Sequence, residues 1–145
     1  MKKLSRLTWS EAYSVHDDTI DAQHRKLFDI VNQLSELYET RSDDLLPVLT
    51  DLVDYLYVHF NAEQMVMMNA NYPRYIEHNK EHQVFTEKIH EFLKSYEEGK
   101  KGLAFEMINF LREWVDTHTL TSDGAYGKHL DRRLRMTRQS YKTDI

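Results

Sequence analysis

The stretch LLPVLTDLVDYLYVHFNAE, residues 45–63, shows most clearly a spacing of apolar residues that recurs along the chain. Its apolar residues alternate four and three positions apart, which keeps them on one face of an α-helix. The same spacing continues onto two polar residues at the end of the stretch. The stripe consists of Leu45, Leu49, Leu52, Leu56, His59 and Glu63. The stretch therefore predicts a helix whose buried face ends in a histidine and a carboxylate.

Three further segments carry stripes with this spacing, and each contains histidine. They are Ile20, His24, Leu27, Val31, Leu34 and Tyr38; His78, His82, Phe85, Ile89, Phe92 and Tyr96; and Ala104, Met107, Leu111, Trp114 and His118. Short breaks separate the segments, and short connections favour antiparallel neighbours. The sequence therefore predicts an all-α, antiparallel up-down-up-down four-helix bundle over residues 19–123.

The breaks contain residues suited to helix ends. Ser42, Asp43 and Asp44 precede the second segment and are expected to cap it. Pro47 is compatible with a first helical turn, where its missing N–H has no intrahelical partner. Pro73 precedes the third segment and is suited to a helix start. These features favour four separate helices over one long coiled coil.

The ends of the chain are predicted to lie outside the bundle, within a single domain of residues 1–145. Residues 1–18 form an N-terminal arm whose Trp9, Tyr13 and Val15 are expected to pack across the bundle. Residues 124–145 are expected to form a solvated C-terminal helix or tail. This tail is basic and contains Arg132, Arg133, Arg135 and Arg138.

Composition excludes several kinds of function. The chain has no cysteine, so disulfides, thiolate catalysis and iron–sulfur or Cys-based zinc sites are ruled out. A net charge of −5 gives no general attraction for nucleic acid or anionic membranes, and neither is expected as a partner. No apolar run approaches the roughly 20 residues of a membrane span. Lys2 and Lys3 are not followed by a signal-type apolar segment, so a cytoplasmic location is expected.

The polar residues on the four stripes are predicted to form one layer. They lie near the start of the first and third helices and near the end of the second and fourth. In an up-down-up-down bundle, these four places are at the same end. The motifs HFNAE and HNKEH each hold an i, i+4 pair, separated by about 40° and about 6 Å along a helix. Both members of each pair can therefore face a common site.

Asp123 requires a local change in the fourth helix. It follows His118 by five residues, which corresponds to about 140° on a regular α-helix. A π-bulge or a helix end after His118 would turn the carboxylate inward. Gly124 makes such a distortion easier.

Buried carboxylates and imidazoles are costly without a compensating cation, and the stripes carry no lysine or arginine. Seven candidate ligands are too many for one tetrahedral zinc ion. Imidazole and carboxylate donors suit iron, among other first-row metals. Two metal ions are therefore predicted at His24, His59, Glu63, His78, His82, His118 and Asp123.

This series of motifs resembles hemerythrin, specifically the single-domain bacterial form, bacteriohemerythrin. The resemblance extends from about Trp9 to Tyr126 and includes DAQH at 21–24, HFNAE at 59–63, HNKEH at 78–82 and HTLTSD at 118–123. Trp114, four residues before His118, also agrees. The family includes myohemerythrin, a known four-helix bundle, so the resemblance also implies the fold.

The resemblance implies a centre of two non-haem iron ions with a bridging oxo or hydroxo group. His78, His82 and His118 would bind one iron, and His24 and His59 the other. Glu63 and Asp123 would bridge the two ions. The first iron would then have six donors and the second five, with one position open to dioxygen. The implied function is reversible dioxygen binding for oxygen carriage, storage or delivery, without enzymatic turnover and with any oxygen-receiving protein unidentified.

Reversible binding also requires apolar walls that keep water from the bound oxygen. The candidates for this oxygen pocket are Phe60, Trp114, Val115, Leu120 and Tyr126. The chain departs from the family at Thr119 and Gly124, where aliphatic and basic residues are common. His16, His90 and His129 match no ligand position and are expected to have surface or structural roles.

Three alternatives remain open at this point. A di-iron redox enzyme would process peroxide, ferrous iron or nitric oxide, although ferritin-like di-iron enzymes use a more carboxylate-rich ligand set. An oxygen or redox sensor would need a separate output partner, with the tail at 124–145 as one contact surface. A dinuclear hydrolase is the most remote of the three.

Overall fold

A computed structural model describes residues 6–132, and these residues are helical with no β-strand. A 3₁₀ turn, Glu11–Tyr13, precedes four long helices: α1, Asp18–Glu39; α2, Leu46–Asn69; α3, Tyr75–Glu97; and α4, Leu103–Trp114. A π-helical segment, Val115–Ser122, follows α4 directly. The chain then returns to α-helix as α5, residues 123–132. The all-α prediction is confirmed, while Arg133, Arg135 and Arg138 of the basic tail lie outside the described residues.

The helix ends differ in part from the expected ones. Asp17 caps α1 by accepting a hydrogen bond from the Ile20 N–H at 3.0 Å. Pro47 lies in the first turn of α2, as predicted. The caps expected from Ser42, Asp43 and Asp44 are wrong, because Leu45 occupies the N-cap position in a helical conformation and no side chain caps α2.

Helices adjacent in sequence pack side by side, and α4 closes the bundle against α1. The long helices are joined by short loops, at 40–45, 70–74 and 98–102, so neighbouring helices run antiparallel. The larger apolar cluster fills the bundle on one side of the predicted polar layer. A smaller cluster lies on the other side and comprises Val15, Ile20, Met67, Tyr72 and Tyr126. The histidines and carboxylates therefore lie between two apolar regions.

The N-terminal arm packs on the bundle as predicted. Tyr13 contacts Phe28 edge to face, with ring centroids 4.8 Å apart. Val15 is fully buried. The Asp21 carboxylate accepts hydrogen bonds from the Ser14 hydroxyl at 2.6 Å and the Val15 N–H at 2.9 Å. The arm is thus tied to the first turn of α1, three residues before His24.

Gly127 brings α5 into direct contact with the arm. A Cβ at this position would lie 2.8 Å from the Val15 Cα, which is closer than real Cβ contacts allow. Gly124, one turn earlier in α5, would place a Cβ in open space. The two glycines therefore provide a matched pair, since only Gly127 is required by packing.

Gly127→Ala is expected to lower the free energy of unfolding by about 1–3 kcal/mol, because the added methyl group must push the arm backbone away. Gly124→Ala is expected to raise it by about 0.5–1 kcal/mol, because alanine is the better helix former. Urea denaturation of the metal-free proteins measures both changes. Equal effects of the two substitutions would show that the Val15 contact does not constrain the fold.

Candidate metal centre

All seven predicted ligands come together in the layer between the two apolar clusters. Their relative exposures are 4% or less, so the layer is closed to solvent. They form two groups, in each of which the possible ligand atoms lie within 4.8 Å of one another. One group is Glu63, His78, His82, His118 and Asp123, and the other is His24, His59, Glu63 and Asp123. The two groups share both carboxylates.

Each carboxylate divides its oxygens between the two groups. Glu63 Oε2 lies 2.9 Å from His59 Nε2 and 3.5 Å from His24 Nε2. Its other oxygen, Oε1, faces His78 and lies 3.3 Å from His82 Nε2. A carboxylate oriented in this way can bridge two cations, with one oxygen toward each.

Asp123 also divides its two oxygens between the two groups. Its Oδ2 lies 3.0 Å from His24 Nε2. Its Oδ1 lies 2.7 Å from His78 Nε2 and 3.2 Å from His118 Nε2. The two carboxylates therefore present a pair of oxygens to each histidine group.

The π-helical segment brings Asp123 into this position. A π-helix pairs residues five apart, and the Asp123 N–H donates to the His118 carbonyl. Residues 118 and 123 therefore occupy successive turns on nearly the same face. The irregularity predicted for the fourth helix is present, but it begins at Val115, before His118, and the helix continues after it.

The unpaired atoms of this layer fit a pair of metal ions. His24 Nε2, His59 Nε2, Glu63 Oε2 and both Asp123 oxygens are buried and, despite the short distances between them, are not aligned for hydrogen bonds. Buried polar atoms normally have partners, and unpaired ones indicate a missing water or ion. The donors are nitrogen and oxygen only, a combination that suits iron. The residues present therefore fit a dinuclear iron centre.

Without metal, protons on histidine balance the carboxylates. Burial alone lowers the pKa of His24, but the nearby Asp123 and Glu63 outweigh it and raise the pKa to about 10. The pKa of His78 rises to about 9 through the same two carboxylates, again against burial. Both values exceed the ordinary 6.5, so the stability that these histidines contribute is complete below pH 6.5 and is lost as the pH rises through 9 to 10.

Metal binding to the metal-free protein is expected to release at least two protons per chain near pH 7, because His24 and His78 must lose theirs to become ligands and the raised pKa of His118 adds to the release. Affinity should rise with pH up to about 10 for the same reason. Titration calorimetry with ferrous iron or zinc, in buffers of different ionisation enthalpy, measures the released protons. A binding heat that is independent of the buffer would contradict this account.

Aromatic rings pack against the histidines on the side of the larger cluster. Phe60 stacks on His82, with centroids 3.8 Å apart and an interplanar angle of 1°. Trp114 stacks on His118 at 4.0 Å and 13°. Tyr55 stacks on His59 at 4.8 Å and 17°. These contacts hold the imidazole planes and exclude water from that side of the layer.

The remaining pocket candidates differ in position. Val115 and Tyr126 are fully buried, on opposite sides of the ligand layer. Burial, together with Asp17, Glu63 and Asp123, raises the pKa of Tyr126, which keeps its phenol neutral. Leu120 is 38% exposed, so its expected place in an enclosed pocket is wrong. Within the π-helical segment the chain turns Thr119 inward, at 1% exposure, and leaves Leu120 outside.

The other three histidines, expected to have surface or structural roles, lie outside the buried layer. His16 and His90 are exposed. His129 is partly buried, and its Nε2 lies 3.1 Å from the Ala70 carbonyl oxygen. None of the three belongs to either metal-binding group among the described residues.

Several groups around the ligands were not predicted from the sequence. Gln23 contacts His59, and Glu81 contacts His118 and Ser122. Gln23 and Glu81 lie inside the motifs DAQH and HNKEH, directly before the predicted ligands His24 and His82. Their positions in the motifs could be seen in the sequence. Each of them, however, contacts a histidine of another helix, and the spacing of residues along one helix does not show which residues of another helix they face.

A four-helix bundle with two buried metal-binding groups that share two carboxylates belongs to the class of bundle proteins with a dinuclear metal centre. A family model described as "Hemerythrin HHE cation binding domain" matches residues 15–130. The chain therefore belongs to the hemerythrin family, as the sequence motifs predicted. Membership implies a di-iron centre, and the buried cluster is able to bind metal.

Relatives align along most of the chain. Bacteriohemerythrin of Clostridium acetobutylicum is 28% identical over 124 residues, covering 81% of this chain and 96% of the relative. Bacteriohemerythrin of Stenotrophomonas maltophilia is 26% identical, covering 90% and 86% respectively. A hemerythrin-like protein of Naegleria gruberi is 25% identical, covering 84% and 92%. No helix among residues 6–132 is long and apolar enough to cross a membrane.

Proposed function

We propose that this protein binds dioxygen reversibly at a di-iron centre, for oxygen carriage, storage or delivery, and without substrate turnover. The observation that carries the proposal is the unequal division of the ligands. Both groups receive an oxygen from each carboxylate, but one group has three histidines and the other has two. An ion in the smaller group would have one protein ligand fewer and would be free to accept a small molecule.

The proposed roles follow from the contacts. His78, His82 and His118 would hold the first iron, His24 and His59 the second, and Glu63 and Asp123 both. Iron held by these residues would supply the electrons that reversible dioxygen binding requires. The carboxylates fix the separation of the two positions. The name bacteriohemerythrin, carried by relatives that cover most of this chain, supports the same function.

Exclusion of water is the second requirement for reversibility, because water and protons convert bound oxygen to released peroxide. The apolar clusters on both sides of the ligand layer support this. Phe60, Trp114, Val115 and Tyr126, none more than 8% exposed, are the proposed walls. Thr119 adds a buried hydroxyl without a hydrogen-bond partner, and the Trp114 Nε1 and the Tyr126 hydroxyl are buried without one as well.

The test of the proposal is anaerobic loading with ferrous iron, followed by repeated cycling between dioxygen and vacuum. Two irons per chain and a visible spectrum that returns in every cycle are expected. His59→Ala should abolish the oxygen-dependent spectrum, since it removes a ligand from the smaller group, while His90→Ala, at an exposed histidine, should not. Irreversible oxidation in the first cycle would refute reversible binding, and steady turnover of peroxide or nitric oxide would favour an enzyme.

Thr119→Val is expected to lengthen the lifetime of the oxygenated protein at least severalfold, because it replaces a buried hydroxyl with a methyl group of similar size. The free energy of unfolding should stay unchanged or rise by about 1 kcal/mol, since an unpaired buried hydroxyl is destabilising. Thr117→Val is the control, because the Thr117 hydroxyl is exposed and bonds to the Glu113 carbonyl at 2.9 Å. The decay of the oxygenated spectrum measures the lifetime, and equal lifetimes in both variants would remove Thr119 from the pocket.

A further inference from the structure

The two histidine groups have different partners on their outer sides. In the smaller group, His59 Nδ1 lies 2.7 Å from the amide oxygen of Gln23. This distance is that of a well-formed hydrogen bond. Tyr55 stacks on the same ring, so the plane of His59 is held by one amide and one aromatic contact. The partner of this ring is neutral.

In the larger group, the corresponding partner is a carboxylate. His118 Nδ1 is buried without a hydrogen bond and lies 3.4 Å from Glu81 Oε2. This separation is an electrostatic contact, slightly longer than a good hydrogen bond. The Ser122 hydroxyl donates to the other oxygen, Oε1, at 2.9 Å and holds the carboxylate beside the ring. The partner of His118 is therefore anionic and fixed in place.

The difference between a neutral and an anionic partner has a chemical consequence when the Nε2 atom of each ring binds a metal ion. A neutral imidazole then carries its proton on Nδ1 and donates it to the outer partner. A carboxylate attracts this proton more strongly than an amide oxygen does, which makes the ring a stronger donor to the metal. A stronger donor and a nearby negative charge both stabilise the ferric over the ferrous state.

We propose that Glu81 and Gln23 are positioning residues that make the two metal positions electronically unequal. Glu81 acts through His118, strengthens metal binding in the three-histidine group and favours ferric iron there. Gln23 orients His59 without adding charge, so the two-histidine group holds its iron less tightly and more readily as ferrous. The inference rests on the proposed ligand roles of His59 and His118, and it does not depend on reversible oxygen binding.

Both residues can be changed without opening the core. Gln23 lies in the lining of a cavity of about 630 Å³ between α1 and α2. Glu81 lines a separate recess of about 170 Å³ together with Arg74, Glu77 and His78. The Glu81 side chain is 42% exposed. Substitutions at these places alter the partner of a ligand and leave the ligand itself in position.

Glu81→Gln is the first variant of the test, with Glu77→Gln as its control. Glu77 is exposed on the same helix one turn earlier, so the control removes the same charge without contacting His118. Each protein is loaded with ferrous iron, and iron transfer to a competing chelator is followed. Glu81→Gln should weaken the binding of one of the two irons by about 10–100-fold, as removal of such partners does. Glu77→Gln should stay close to the unmodified protein.

Reduction potentials provide the second measurement. Glu81→Gln should move the potential of one iron to a more positive value, and Glu77→Gln should leave it nearly unchanged. Gln23→Glu should have the opposite effect and lower the potential of the other iron, because it gives His59 an anionic partner. Thr19→Glu is the control here, since Thr19 is exposed in the wall of the same cavity and receives the same charge.

Proton NMR of the iron-loaded protein separates positioning from a general charge effect. Exchangeable Nδ1–H signals, shifted by the paramagnetic iron, should move for one imidazole in Glu81→Gln and for a different one in Gln23→Glu. Unfolding of the metal-free variants checks that the fold is intact. Equal shifts of potential in Glu81→Gln and Glu77→Gln, or unmoved Nδ1–H signals, would overturn the inference.

The outcomes also distinguish this inference from the proposed function. An unmodified protein that loads two irons but oxidises irreversibly contradicts reversible oxygen binding, while a shift specific to Glu81→Gln in that protein still supports the inference. A protein that cycles with oxygen and shows no such shift supports the function alone. Failure to load two irons contradicts both.

Discussion

The structure depends on two carboxylates that are shared between two groups of buried histidines. Glu63 and Asp123 are closed to solvent, and each directs one oxygen to each group. A layer with this charge is stable in an apolar interior only if positive charge lies within it, supplied by protons or by metal ions. Each helix contributes histidine or carboxylate side chains where it crosses this layer. The bundle on either side of the layer is ordinary apolar packing.

Much of this arrangement was predictable from the sequence, because it follows from helical periodicity. The 4,3 spacing placed histidines on the buried stripes, and the short loops placed those histidines at one end of the bundle. The five-residue step from His118 to Asp123 also predicted an irregular fourth helix. The start of the π-helical segment at Val115 was not predictable, since the spacing of His118 and Asp123 requires an irregular turn but does not specify the residue at which it begins.

What the sequence could not predict concerns contacts between helices and the directions of side chains. Leu120 follows a ligand closely in sequence, yet the wider π-helical turn leaves it outside and turns Thr119 inward. Gln23 and Glu81 lie in recognisable motifs, but their partners are histidines of other helices. Register assigns a residue to a face of its own helix. It does not identify the residue that faces this side chain from a neighbouring helix. The contacts of Gln23 with His59 and of Glu81 with His118 are of this kind.

The π-helical segment also connects the metal layer to the N-terminal arm. A π-helix turns less per residue than an α-helix, so every side chain after Ser122 is rotated relative to an uninterrupted helix. The same rotation that turns Asp123 inward sets the direction of Tyr126 and lays Gly127 against Val15. Loss of one residue between Val115 and Ser122 would therefore misplace a ligand and also separate α5 from the arm. The segment also lies against the 3₁₀ turn of the arm, so its length is constrained both by the metal-binding groups and by the arm.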